Sequence, residues 1–166
     1  MFRPLPRKIN LIVHALFSVG LLGSILAFTA MAATALLVVS ESARSGLYPA
    51  MSLVTLAAIV PMALAANLSG IISALATPWG LFSHRWIVYK FWITLFATVV
   101  LLIKTRLVMR MADCYSGGTC LIDDRWHSGL ELVVHAVGGF TILLVPLALS
   151  MLKPKGLTAY GQRKVN

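Results

Sequence analysis

Acidic side chains are nearly absent from this chain. Glu41, Asp113, Asp123, Asp124 and Glu131 are the five, against fourteen Lys and Arg. Charged residues of both signs make up 11%, well below the roughly 25% of a soluble domain. Hydrophobic residues make up 59%, and a chain of 166 residues has too little interior to hide them in a soluble core. Cysteine is limited to Cys114 and Cys120, which excludes a disulfide-dense scaffold. There is no phosphate-binding glycine loop and no deaminase-type motif. No Ser/His/Asp set can be assembled on one side of a membrane. Nothing therefore supports ATPase, hydrolase or transferase chemistry. Internal repeats and low-complexity linkers are missing too.

What the chain has in excess is apolar length. Four runs stand out, at about 9–39, 48–76, 86–106 and 128–152. Each reaches or exceeds the roughly 20 residues needed to cross about 30 Å of hydrocarbon. Helix is the only workable conformation, because a lone strand in lipid leaves its backbone groups unpaired. A barrel would need many alternating segments of about ten residues. The expectation is one all-α domain over residues 1–166, a transmembrane up-down four-helix bundle. Pro61 and Pro146 fall inside the second and fourth runs, where neighbouring helices can satisfy the carbonyl each frees. The first run begins like a secretion signal, with Arg3, Arg7, Lys8 and a small-residue Ala30-Met31-Ala32. It continues to Val39, too long for a signal core, and reads as a retained helix.

The net charge of +9 would suit nucleic acid only as a basic stripe on a soluble fold. Here the basic residues flank the apolar runs, so nucleic acid is not an expected partner and the lipid bilayer is. With four spans, Arg3, Arg7, Lys8, Arg85, Lys90, Lys153, Lys155, Arg163 and Lys164 share one side. Arg44, Lys104, Arg106, Arg110 and Arg125 take the other, offset by four of the carboxylates outside the runs. This asymmetry predicts both termini in the cytoplasm. Cys114 and Cys120 then face an oxidising compartment in the polar connection 112–125. A disulfide is favoured there over free thiols, with a metal site short of ligands.

Ionisable groups inside the runs are the functional candidates. His14 lies early in the first helix and His84 at the start of the third. Helices one and three of an up-down bundle run parallel across the diagonal. Two imidazoles so placed suit a b-type haem, with Gly20, Gly23, Gly138 and Gly139 as room for the ring. The plainer reading is that the glycines serve helix packing and that His84 sits among headgroups. His127, Glu131 and His135 are spaced i, i+4, i+8 on the fourth helix. That face suits a proton relay with Lys104, a metal or a quinone pocket. Its plain alternative pairs Glu131 with Lys104 or Arg106 and bonds His135 across the bundle. His135 with Met62 is a candidate second haem site. Trp79, Trp86, Trp92 and Trp126 read as interfacial anchors.

The stretch Trp79-Gly80-Leu81-x-x-His84-x-Trp86-x-x-x-Lys90 is the most distinctive in the chain. With His135-Ala136-x-Gly138-Gly139 and the tail Lys153-Pro154-x-Gly156-Leu157-Thr158-x-Tyr160-Gly161, it resembles a family of bacterial four-helix integral membrane proteins. A histidine early in the first helix, here His14, fits the same pattern. The resemblance covers nearly the whole chain. It implies a bacterial inner-membrane location and four spans, and it singles out His14, His84 and His135. It implies no activity. The functional expectations are a small haem-binding or quinone-linked electron carrier, or else a non-redox accessory subunit or proton- or cation-coupled transporter. A homodimer or other membrane subunits are the partners either would need.

Overall fold

The computed structural model describes residues 4–37, 40–76, 81–117, 120, 122, 124–152, 154, 156–158 and 161–162. It is all-α, built of α1 (Pro4–Leu37), α2 (Glu41–Val54), a π-helical turn (Thr55–Ile59), α3 (Val60–Ala76), α4 (Arg85–Tyr115) and α5 (Arg125–Leu152). α2, the π turn and α3 form one continuous rod, so four rods are long and apolar enough to cross a membrane: 5–37, 41–75, 85–115 and 125–152. Large apolar side chains cover their outer surface, among them Leu16, Leu26, Leu53, Leu68, Phe96 and Val134. Only lipid makes such a surface favourable, because water would have to solvate all of it.

The rods close into a square. α1 packs on α3 and α5, and α4 packs on α2 and α5, so α1 and α4 are diagonal and do not touch among the described residues. The apolar core lies in the half of the bundle away from the termini. Leu21, Ile25, Phe28, Ala32 and Ala35 of α1 repeat at helical spacing and meet Tyr48, Met51, Ile59 and Ala63 from the second rod. Val108 and Met111 of α4 and Leu132 and Ala136 of α5 complete it.

All four rods run longer than the apolar runs alone suggest, for identifiable local reasons. α2 starts at Glu41 rather than 48 because Ser40 caps it, its side chain accepting from the Ala43 N–H. Glu41 then complements the positive end of the helix and pairs with Arg44 at 3.6 Å. α4 continues past 106 to Tyr115, because the Leu, Met, Arg and Ala there all favour helix. It stops at Ser116, where Gly117 takes the left-handed φ of +83°. α5 starts at Arg125 rather than 128. The Asp124 carboxylate accepts the His127 N–H at 2.9 Å, and with the His127 ring this holds its pKa below the usual carboxylate value. α1 is helical from Pro4 to Leu37; Val39, the expected end, lies outside the described residues. The π turn precedes Pro61, whose missing N–H and bulky ring disturb the Ala57 carbonyl. Widening the turn, with the Val60 N–H reaching back to the Thr55 carbonyl, absorbs that mismatch.

Cys114 and Cys120 are joined by a disulfide, Cα atoms 4.3 Å apart, between the end of α4 and the start of α5. At the opposite end the tail folds back on the α3–α4 connection. His84 and Leu157 form an antiparallel bridge. The Arg85 N–H donates to Gly156 O at 3.3 Å, and the Thr158 N–H to Ser83 O at 3.0 Å. The Thr158 hydroxyl donates to Phe82 O at 2.5 Å. The two most distinctive motifs of the sequence thus clasp one another. Trp79, Gly80, Lys153, Lys155, Tyr160, Arg163 and Lys164 lie outside the described residues, as does Arg3.

A Cβ at Gly161 would sit 2.3 Å from the Ser83 carbonyl oxygen, whereas one at Gly138 meets nothing within 4 Å. Gly161→Ala should therefore open the clasp and lower stability by about 1–2 kcal/mol, with Gly138→Ala within about 0.5 kcal/mol of the parent. Thermal unfolding in detergent, followed by tryptophan fluorescence, checks this; equal losses in the two variants would refute the contact.

Candidate functional site

The bundle changes character along its length. Beyond the apolar core, the half nearest the termini is crossed by hydrogen-bonded polar side chains. Asn10 and His14 lie four residues apart on one face of α1, and Ser69 and Ser73 four apart on the facing side of α3. Asn10 Nδ2 donates to Ser69 O at 3.1 Å and to Ser73 Oγ at 2.6 Å. His14 Nδ1 lies 3.1 Å from both Ala66 O and Ser69 Oγ. A carbonyl only accepts, so this bond assigns the proton to Nδ1 and leaves Nε2 with the lone pair of the neutral ring. The ring is seated in the notch left by Gly70, where a Cβ would come within 3.2 Å of Cε1. Next along the bundle, Asn67 Nδ2 donates to Thr98 Oγ1 at 2.7 Å, tying α3 to α4.

Lys90 is the cation of this layer. α4 begins at Arg85, which places Lys90 about one and a half turns in from the helix start. Its ammonium donates to Ser150 Oγ on α5 and lies 5.8 Å from the centre of the Trp86 ring. It is also within electrostatic reach of His14 on the diagonal helix. No carboxylate pairs with it among the described residues. The chain order explains why. Glu41, Asp113, Asp124 and Glu131 all sit in the opposite half, and Asp123 lies outside the described residues.

Position by position, the expected site residues fall into separate sets. His14 faces α3. His84 stands at the N-cap of α4, six residues before Lys90 and nearer the helix end, its backbone held in the tail clasp. A haem gripped by two histidines needs their imidazoles opposed across the ring. His14 has the carbonyl-bonded Nδ1 of a ligating histidine. Gly20 is filled by Met62, whose Sδ would lie 3.0 Å from an added Cβ, and Gly23, Gly138 and Gly139 face open surface.

The expected relay on α5 also divides. Glu131 forms an ion pair with Lys104 of α4. His127 turns to Asp124 at 2.5 Å. His135 Nδ1 donates at 2.8 Å to Glu131 O on its own helix rather than across the bundle. Among the described residues no three His, Cys, Asp or Glu gather closely enough to hold a metal ion. Tyr48, which sequence reasoning passed over, closes this end. It stacks on Tyr115 with ring centres 4.6 Å apart, and its hydroxyl occupies the space above Gly129. Arg125 covers the Tyr115 ring, and Arg44 Nε donates to Ala35 O at 3.2 Å. Compared with known protein families, curated proteins and solved structures, the chain matches none.

The Lys104–Glu131 pair is half-buried between α4 and α5. Removing one partner strands the other charge. Lys104→Met or Glu131→Gln alone should cost about 1–2 kcal/mol, while the double variant should recover most of that loss. A double-mutant cycle on unfolding in detergent measures the coupling, and additive losses would show that the ion pair contributes nothing.

Proposed function

We propose that this chain is a non-redox, multi-pass protein of the bacterial inner membrane, with both termini cytoplasmic, that works as a small proton-coupled carrier. The observation that carries this reading is Lys90, a half-buried ammonium packed between α4 and α5 whose described partners are a hydroxyl and an indole. A charge so placed is expensive unless an opposite charge joins it or its proton leaves. His14, with a free Nε2 on the neutral ring, is a second group that takes and releases a proton in the same layer. A small anion entering from the side of the termini would find Lys90 for its charge and His14 and the serine hydroxyls for its oxygens. Carrying a proton with it would let the neutral combination leave. The four-rod square is filled by apolar side chains beyond this layer, so a complete path requires a second copy or another membrane subunit.

Vesicles containing the purified chain and a trapped pH dye should report proton entry beyond that of protein-free vesicles when acetate or phosphate gradients are imposed. Lys90→Met should abolish it and His14→Gln should slow it by roughly 10²-fold or more, the usual weight of a positioned proton-transfer group. If the parent protein moves no protons under any of these gradients, the carrier reading is wrong.

One observation favours a second reading, the haem-binding or quinone-linked electron carrier. Nδ1 of both His14 and His135 is committed to a backbone carbonyl, the arrangement that orients Nε2 toward a ligand. Colour decides it. Protein purified from haem-replete cells should show a reduced α-band that His14→Ala removes; a colourless, folded preparation rules this reading out.

A further inference from the structure

α4 carries a second feature, independent of the Lys90 layer. Val99, Leu102, Ile103 and Arg106 fall at i, i+3, i+4 and i+7, so they share one face of the helix. They line a surface groove of about 360 Å³. Arg110 follows one turn beyond Arg106, and both guanidinium groups are exposed. Neither makes an ion pair or a hydrogen bond among the described residues. The charges around them are accounted for. Lys104 is neutralised by Glu131 on α5, and Asp113, three residues beyond Arg110, is not within ion-pair distance of it.

α4 has 31 residues and spans about 46 Å, against roughly 30 Å of hydrocarbon. Centred in the bilayer, it places Arg106 about 6 Å inside the hydrocarbon and Arg110 at its boundary. Extended outward along the helix, their long side chains would carry the guanidinium groups toward the headgroup layer. The wall below them is apolar and the cations above have no protein counter-charge. We infer that this face is a binding site for an anionic phospholipid. Its phosphate is held by Arg106 and Arg110, and one acyl chain lies along Val99, Leu102 and Ile103.

The chemistry favours a lipid over other occupants. Guanidinium groups grip phosphate oxygens through paired hydrogen bonds, which suits a phosphodiester bridging two arginines one turn apart. A shallow groove on one helix suits an acyl chain better than a protein side, which would need far more area. A net-negative headgroup is preferred to a zwitterionic one because the site supplies two positive charges and no acid.

The test uses the full chain in bilayers of equal phosphatidylglycerol and phosphatidylcholine, released into the gas phase for native mass spectrometry. The parent should retain phosphatidylglycerol in roughly tenfold preference. Arg106→Gln with Arg110→Gln should bring the ratio close to one. Leu102→Trp, which fills the groove and leaves both charges, should lower retention of either lipid. Retention without preference in the parent, or a preference that survives the double arginine variant, would overturn the assignment. Displacement of the lipid by millimolar inorganic phosphate would do so too, by identifying a soluble-anion site instead. Folding of each variant is checked by the proton-entry assay and by thermal unfolding.

Discussion

Hydrocarbon offers no partner to a peptide group, and everything else in this molecule follows from that. Each span must satisfy its own backbone, which leaves helices as the only rods available. Each side chain that reaches for a hydrogen bond must then find it on a neighbouring rod or on its own. Thr29, Thr55, Thr98 and Thr105 bond to carbonyls one turn back, and Asn10, His14 and Asn67 reach across to α3 or α4. The polar layer is therefore both a set of helix ties and the place where ionisable groups are brought together.

The bundle divides this work unequally. Away from the termini, close packing of alanine, methionine and leucine holds the rods, with the Tyr48–Tyr115 stack and the disulfide at the rim. Near the termini, contact depends on hydroxyls, amides and one ammonium. A half held by polar contacts tolerates a change of proton count better than a half held by jigsaw packing, because a hydrogen bond can exchange partners while a filled cavity cannot. That division sets the His14–Lys90 layer apart from the packed half of the bundle.

Much of the architecture was legible in the residues because hydropathy and charge spacing are local. The four spans and their up-down order follow from run length alone. Lys90 was legible as a cation near the end of a span, but its contact with Ser150 depends on how α4 lies against α5. The i, i+4 pairs Asn10/His14 and Ser69/Ser73 were present as a signal, two polar stripes in apolar runs, but their meeting depends on how α1 lies against α3. Of the relay expected from Glu131, His127 and Lys104, the structure brings Glu131 and Lys104 together, while His127 turns to the capping Asp124 and His135 to a carbonyl of its own helix. The tail clasp rests on backbone pairing between residues about 75 apart, which no local pattern announces.

The clasp has one more consequence. Because the tail returns to the residues just before α4, the segment from Phe82 to Gly161 closes on itself, its two ends pinned side by side. The molecule is in effect two hairpins, one of α1 to α3 and one of α4, α5 and the strap that ties its ends. Severed between them and co-expressed as separate polypeptides, the second piece would keep its own fastening, and the pieces would reassemble through the seams α1–α5 and α2–α4.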